Sequence, residues 1–145
     1  MSDYRNLLVC LDLTEDSLRV LERARALAAS TGGTLTLLHV VEYVPVEPMG
    51  EALLPAVQIE AELAERATTQ IAELANRLGL GAAERLVLTG NIKAEVVRVA
   101  QEKRCDLIVI GSRERHGVSI LFNFTEDTVL HAAPCDVLAV RLAKG

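Results

Sequence analysis

A chain of 145 residues with 15 Lys+Arg against 20 Asp+Glu has a net charge of −5, which argues against a nucleic-acid binder, whose domain normally shows a basic face or stripe. Half of its residues are hydrophobic, 3 % are aromatic and none is Trp, which excludes a disordered chain or a base-stacking platform and makes the core aliphatic. At this length a single domain, 1–145, buries roughly 70 % of its unfolded surface and needs no disulfide or metal staple.

The opening Met1-Ser2-Asp3-Tyr4 has no basic n-region, and Leu7–Leu11 is too short for the apolar centre of a signal peptide. No apolar run approaches the roughly 20 residues of a membrane-spanning helix. Cys10, Cys105 and Cys135 are an odd, widely spaced set without a CxxC pair. They indicate neither a zinc site nor a secreted disulfide framework, and read as small thiols of a reduced core. The expectation is a cytoplasmic protein without membrane insertion.

Along the chain, short aliphatic runs alternate with amphipathic stretches. Leu7–Leu11 has no polar interruption and reads as a strand buried on both faces. Thr14 is placed to cap a helix with Glu15 and Asp16 in its first turn, where acids suit the positive end of the dipole. Leu18, Leu21, Ala24 and Ala28 form the stripe of that helix, and Gly32-Gly33 ends it. Leu35–Val41 is the second strand.

From Glu42 to Pro55, three prolines (Pro45, Pro48, Pro55) and Gly50 predict a loop over the end of strand two. A long helix follows with Leu63, Ala67, Ile71, Leu74 and Leu78 on its apolar face, stopped by Gly79 and Gly81. Arg85–Thr89 is the third strand. Gly90 leads into a helix from about Ile92 to Arg104, closed by Lys103 and Arg104 at its negative end.

Asp106–Gly111 is the fourth strand. A glycine-containing loop leads to a helix bearing Leu121, Thr125, Val129 and Ala132, which Pro134 breaks, and Asp136–Arg141 is the fifth strand. The βαβαβαβαβ order with right-handed crossovers gives an α/β fold: a parallel five-stranded sheet with helices on both faces.

Ligands of such sheets bind beyond the carboxyl ends of the strands, which directs attention to Asp12, Val41, Thr89-Gly90 and the segment from Gly111 to Thr125. Asp12 suits either a ribose or adenine contact, or the donors ahead of the first helix. A receiver-type phosphorylation site would need an Asp ending strand three, and that strand ends Leu88-Thr89-Gly90. His39 lies inside an aliphatic strand and reads as a hydrogen-bonded core residue. His116 and His131 have no partners at metal-ligand spacing, and no GxSxG elbow is present. Nothing supports a catalytic centre.

Gly111-Ser112-Arg113-Glu114-Arg115-His116-Gly117 joins a strand to a helix, a place where glycines let backbone N–H groups face a phosphate. Glu114 sets a carboxylate where that phosphate would lie. Arg113 and Arg115 are available to counter that charge toward a phosphate, to pair with Glu114 or to meet solvent.

These residues together resemble the universal stress protein family along essentially the whole chain. The likeness rests on Leu8-Val9-Cys10-Leu11-Asp12-Leu13-Thr14-Glu15-Asp16-Ser17, Leu37-Leu38-His39-Val40-Val41, Gly90, Cys105–Ser112 and the closing His131–Arg141. The resemblance implies a Rossmann-like sheet of the adenine nucleotide alpha hydrolase-like type, with strand order 3-2-1-4-5. ATP-binding members carry G-x2-G-x9-G-[ST]; laid on this chain, the four positions are Gly111, Glu114, Phe124 and Thr125. Asp12 and Val41 match positions that meet the adenosine part.

Loss of the second and third glycines makes the chain look like the UspA-like subclass, which does not bind ATP, so no cofactor is expected and ATP or AMP is disfavoured. Asp12, Val41, Gly111, Arg113 and Thr125 would then form a vestigial or altered nucleotide site. Val137, Leu138, Ala139, Val140 and Arg141 form an aliphatic edge that pairing with a second copy would protect, and the resemblance implies the same homodimer. The expected function is non-catalytic stress regulation through a protein partner that the sequence does not identify. The alternative is a nucleotide-binding regulator with an altered phosphate loop.

Overall fold

In the computed structural model, residues 4–42, 53–112, 129 and 131–142 are described. The elements are β1 (Asn6–Cys10), α1 (Ser17–Thr31), β2 (Thr34–Glu42), α2 (Leu53–Arg77), β3 (Glu84–Gly90), α3 (Ile92–Glu102), β4 (Leu107–Ser112) and β5 (Asp136–Arg141). Strands pair in the order β3-β2-β1-β4-β5, all parallel, as the sequence and the resemblance predict.

The central strand shows why an uninterrupted aliphatic run is needed there. Leu7 and Val9 face one core, Leu8 faces the other, and all three are fully buried. The first core lies under α1 and α2, where Val20, Leu21, Ala24, Ile71 and Ala75 meet Leu35, Leu37 and Val109. The second lies under α3, where Val96, Val99 and Ala100 meet Leu38, Val40, Ile108 and Ile110, together with Val129. Leu8 or Ile108, both fully buried in the second core, would cost about 2–5 kcal/mol if truncated to Ala, through lost apolar transfer energy and the cavity left behind.

Helix α1 starts later than the capping signal suggests. It begins at Ser17 with Asp16 as its N-cap, so Glu15 and Asp16 precede the helix instead of lying in its first turn. The Asp12 carboxylate draws in the Thr14 N–H and hydroxyl, at 3.1 and 2.8 Å, and so holds Thr14 to the strand end. Gly32 closes α1 as expected, at φ 75°, a left-handed conformation that glycine adopts without a Cβ penalty.

Pro55, expected in a loop, lies in the first turn of α2, where its missing N–H has no intrahelical partner to lose. Leu63 is also corrected: it is 44 % exposed, as is its neighbour one turn back, Ile59, at 55 %. Further along the helix Ala67, Ile71 and Ala75 are buried, so among the described side chains the stripe joins the core from Ala67 onward.

Helix α3 ends at Glu102. Its cap, Lys103, reaches Glu84 at the start of β3, with Nζ 2.7 Å from Oε1, while Arg104 turns the chain at φ 54°. Pro45, Pro48, Gly50, Leu121 and Thr125 fall outside the described residues; Val129, His131 and Ala132 are helical as predicted.

Candidate functional site

The carboxyl ends of β1, β2 and β4 bring Asp12, Val41 and Gly111 to one end of the sheet. Register pairs Val9 with Val109 and Cys10 with Leu38, and the ladder continues as Leu11 N–H donates to the Leu38 carbonyl at 2.9 Å. Val41 is buried and paired with Thr89, and Glu42 is paired with Gly90. Asn91 then caps α3 by accepting the Ala94 N–H at 2.9 Å, so the expected Gly90 turn does lead directly into a helix.

Asp12 is exposed, but its Oδ1 is engaged. It accepts the Thr14 N–H at 3.1 Å, the Thr14 hydroxyl at 2.8 Å and the buried Ser17 hydroxyl at 3.0 Å. The second of the two roles that its position allows is therefore present: this carboxylate organises the turn ahead of α1. Leu13 within that turn has φ 61°, a left-handed conformation that costs a branched side chain about 1–2 kcal/mol. No periodicity or composition signal announces it, and none points to Ser17, five residues from Asp12.

His39 is half-buried, with Nδ1 2.7 Å from the Leu11 carbonyl oxygen. A carbonyl only accepts, so Nδ1 carries the proton and donates it. This is the hydrogen-bonded core histidine that its setting predicts.

Gly111 has a packing reason of its own. A Cβ there would lie 2.8 Å from Leu142 Cδ1 and 3.2 Å from Val20 Cγ2, so α1 and the chain after β5 close over the bare Cα. Leu142 is held in place by its N–H, which donates to the Ser112 carbonyl at 2.8 Å. Arg113, Glu114, Phe124 and Thr125, the other expected phosphate-loop positions, lie outside the described residues.

The three cysteines are free thiols gathered on the second face: Cys105 is buried, while Cys10 and Cys135 are partly so. Burial, then the charges of Cys105 and Cys135, pushes the Cys10 thiol up to about 12. Burial, then Cys135, pushes Cys105 up to about 11. Among the described residues no cluster of His, Cys, Asp and Glu is arranged to hold a metal ion, and no helix is long and apolar enough to cross a membrane. A groove of about 930 Å³ opens at the opposite, amino end of the sheet beside Asn6, Arg25, Thr36, Glu84 and Lys103, away from Asp12, Val41 and Gly111.

At the sheet edge, β5 pairs only with β4 among the described strands. Val137 and Leu138 are half-buried, Ala139 and Arg141 are exposed and Val140 is buried, so the edge presents a mixed apolar strip.

Comparison with known proteins agrees with this arrangement. A model of the "Universal stress protein family" matches residues 3–141. "Universal stress protein A homolog 2" of Coxiella burnetii is 36 % identical over 143 residues, covering 98 % of each chain. "Universal stress protein A homolog 1" of the same organism is 35 % identical over 138 residues, covering 94 % of this chain and 96 % of the relative. Among solved structures, the universal stress protein UspA from Lactobacillus plantarum superposes with a TM-score of 0.81 at 24 % identity, over 97 % of this chain and all of that one. A universal stress protein in complex with cAMP superposes at 0.71 with 21 % identity, over 98 % and 100 %; both likenesses concern the fold. The family match over nearly the full chain, the curated relatives and the 3-2-1-4-5 sheet lead to one conclusion: this chain belongs to the universal stress protein family.

Proposed function

We propose that this chain is a non-catalytic, homodimeric stress regulator that works through contact with another protein and does not bind ATP. The observation that carries this reading is the packing of Gly111. Leu142 and Val20 pack against its bare Cα, which gives the first glycine of the nucleotide motif a packing reason that involves no phosphate. The engagement of Asp12 Oδ1 by Thr14 and Ser17 supports the same conclusion. So do Glu114 and Phe124, which stand where ATP-binding relatives have glycines. Isothermal calorimetry with ATP and AMP, with and without magnesium, tests it: no binding heat is expected, and a Kd of about 10 μM or tighter overturns it.

A second reading has one observation in its favour. Asp12 and Val41 stand at the carboxyl ends of adjacent strands, the place where such sheets hold ligands. A nucleotide regulator would use Asp12, Val41, Gly111, Arg113 and Thr125 as contacts, with an altered phosphate loop; a family member of the same fold was solved with cAMP. The same titration decides between the two.

The homodimer would form by antiparallel pairing of Val137–Arg141 with the same strand of a second copy. That pairing would satisfy the outer edge of β5 and close a two-fold interface.

A further inference from the structure

Cys105 and Cys135 are thirty positions apart in the chain but stand at the entries of two adjacent parallel strands. The β4–β5 register begins with Leu107 opposite Asp136, which sets Cys135 level with Asp106, one step from Cys105. With about 4.8 Å between neighbouring strands and about 3.3 Å per step, ideal strand spacing sets positions so related about 6 Å apart, within the Cα reach of a disulfide. Regular alternation would send Cys105 to the first face, with Leu107. It lies outside β4, however, and follows the left-handed Arg104, and it packs on the second face where Cys135 also packs. Cys10 is on that face too, but on β1, level with Ile110 and five register positions further along.

We propose that Cys105 and Cys135 are a modification site: a hydroperoxide converts them to an intramolecular disulfide that a thiol reductant reverses. Cys135 is the more exposed of the two and is attacked first. Its thiolate takes the terminal oxygen of the hydroperoxide, the O–O bond breaks, and the alkoxide or hydroxide released is protonated by the proton the thiol gave up. The Cys105 thiolate then attacks the sulfenic sulfur, the S–S bond forms, and hydroxide leaves as water with the second proton. Two thiols are oxidised and one hydroperoxide is reduced. Because burial holds both thiols above their ordinary range, the reaction is slow at neutral pH and quickens as pH rises. The bond would fasten the start of the edge strand β5 to the turn between α3 and β4.

Tryptic mapping without reductant tests this directly, because cleavage after Arg104, Arg113, Arg115 and Arg141 places Cys105 in peptide 105–113 and Cys135 in peptide 116–141. After hydrogen peroxide and alkylation of remaining thiols, the two peptides are expected as one linked species, lighter than their sum by two hydrogens and separated by dithiothreitol. Cys105→Ser and Cys135→Ser, with unchanged circular dichroism, lose it, and Cys10→Ser keeps it. The initial rate is expected to rise about tenfold per pH unit between about 7 and 9. Unlinked peptides, terminal oxidation of Cys135 alone, a link to Cys10, or a covalent dimer on a non-reducing gel would each overturn the proposal.

Discussion

The Asp106 carboxylate grips the backbone of Asn6 across a hundred residues of chain, its Oδ1 accepting the Asn6 N–H at 2.9 Å. Its other oxygen accepts the N–H of Arg5 at 2.8 Å, and the Asp106 N–H returns a bond to the Asn6 carbonyl at 2.9 Å. One carboxylate thus fastens the entry of β1 to the entry of β4. Asp106→Ala leaves two backbone donors without their charged acceptor, and a loss of about 2 kcal/mol in urea unfolding is expected. Asp106→Asn, which keeps one carbonyl oxygen, should lose less.

Gly33 and Gly111 make a graded pair. A Cβ on Gly33 would come within 2.5 Å of the Tyr4 carbonyl oxygen and 2.9 Å of Leu7 Cδ1, and backbone does not yield easily. At Gly111 the obstruction is the end of the Leu142 side chain, which can rotate. Gly33→Ala is therefore expected to cost about 3 kcal/mol and Gly111→Ala about 1, both read from denaturant midpoints. A reversed order would contradict the packing described for Gly111.

Arg104 is exposed and left-handed, at φ 54°, just after the α3 cap. Replacing it with glycine relieves the Cβ clash, offset in part by the larger entropy of the unfolded chain. The expected gain for Arg104→Gly is about 0.5–1 kcal/mol, visible as a higher thermal midpoint.

The cysteine cluster makes stability depend on alkaline pH. Cys10 and Cys105 titrate at about 12 and 11 in the folded protein against an ordinary thiol value of 9.0, so the folded state holds more protons between these limits. Their contribution is complete below about pH 9 and is lost as pH rises toward 12. Wild type and Cys10→Ala, compared by chemical denaturation at pH 8 and pH 10, should show a smaller loss on raising the pH for the variant.

Two predictions address the proposed function. Glu114→Gly combined with Phe124→Gly restores the motif glycines, and a gain in ATP affinity of about tenfold or more is expected by calorimetry. No gain would mean that these two positions do not set nucleotide affinity. For the dimer, sedimentation should give twice the 15.7 kDa chain mass, and Ala139→Lys, an exposed position on the outer strand, should shift the protein to monomer.

Much of the fold is legible in short-range pattern. Leu7-Leu8-Val9 and Val137–Val140 announce strands because parallel strands covered by helices tolerate few polar interruptions, and Gly32 announces a left-handed helix end. Asp12 and Gly111 stand out as residues at the strand ends, and the role of Asp12 toward the donors ahead of α1 is one of two the sequence offers, whereas the packing role of Gly111 is not legible there. The delayed start of α1 depends on which donors Asp12 captures, and the exposure of Leu63 depends on where along α2 the core begins, at Ala67.

By itself, then, the sequence determined the element order, the aliphatic core and the family, because periodicity and composition act over a few residues at a time. Only the tertiary structure decided that Gly111 makes room for Leu142, that Asp106 holds Asn6, and that Cys105 and Cys135 pack on one face. Those relationships join residues about thirty to one hundred positions apart. Strand pairing and close packing create them, and no local pattern encodes which distant atoms will meet.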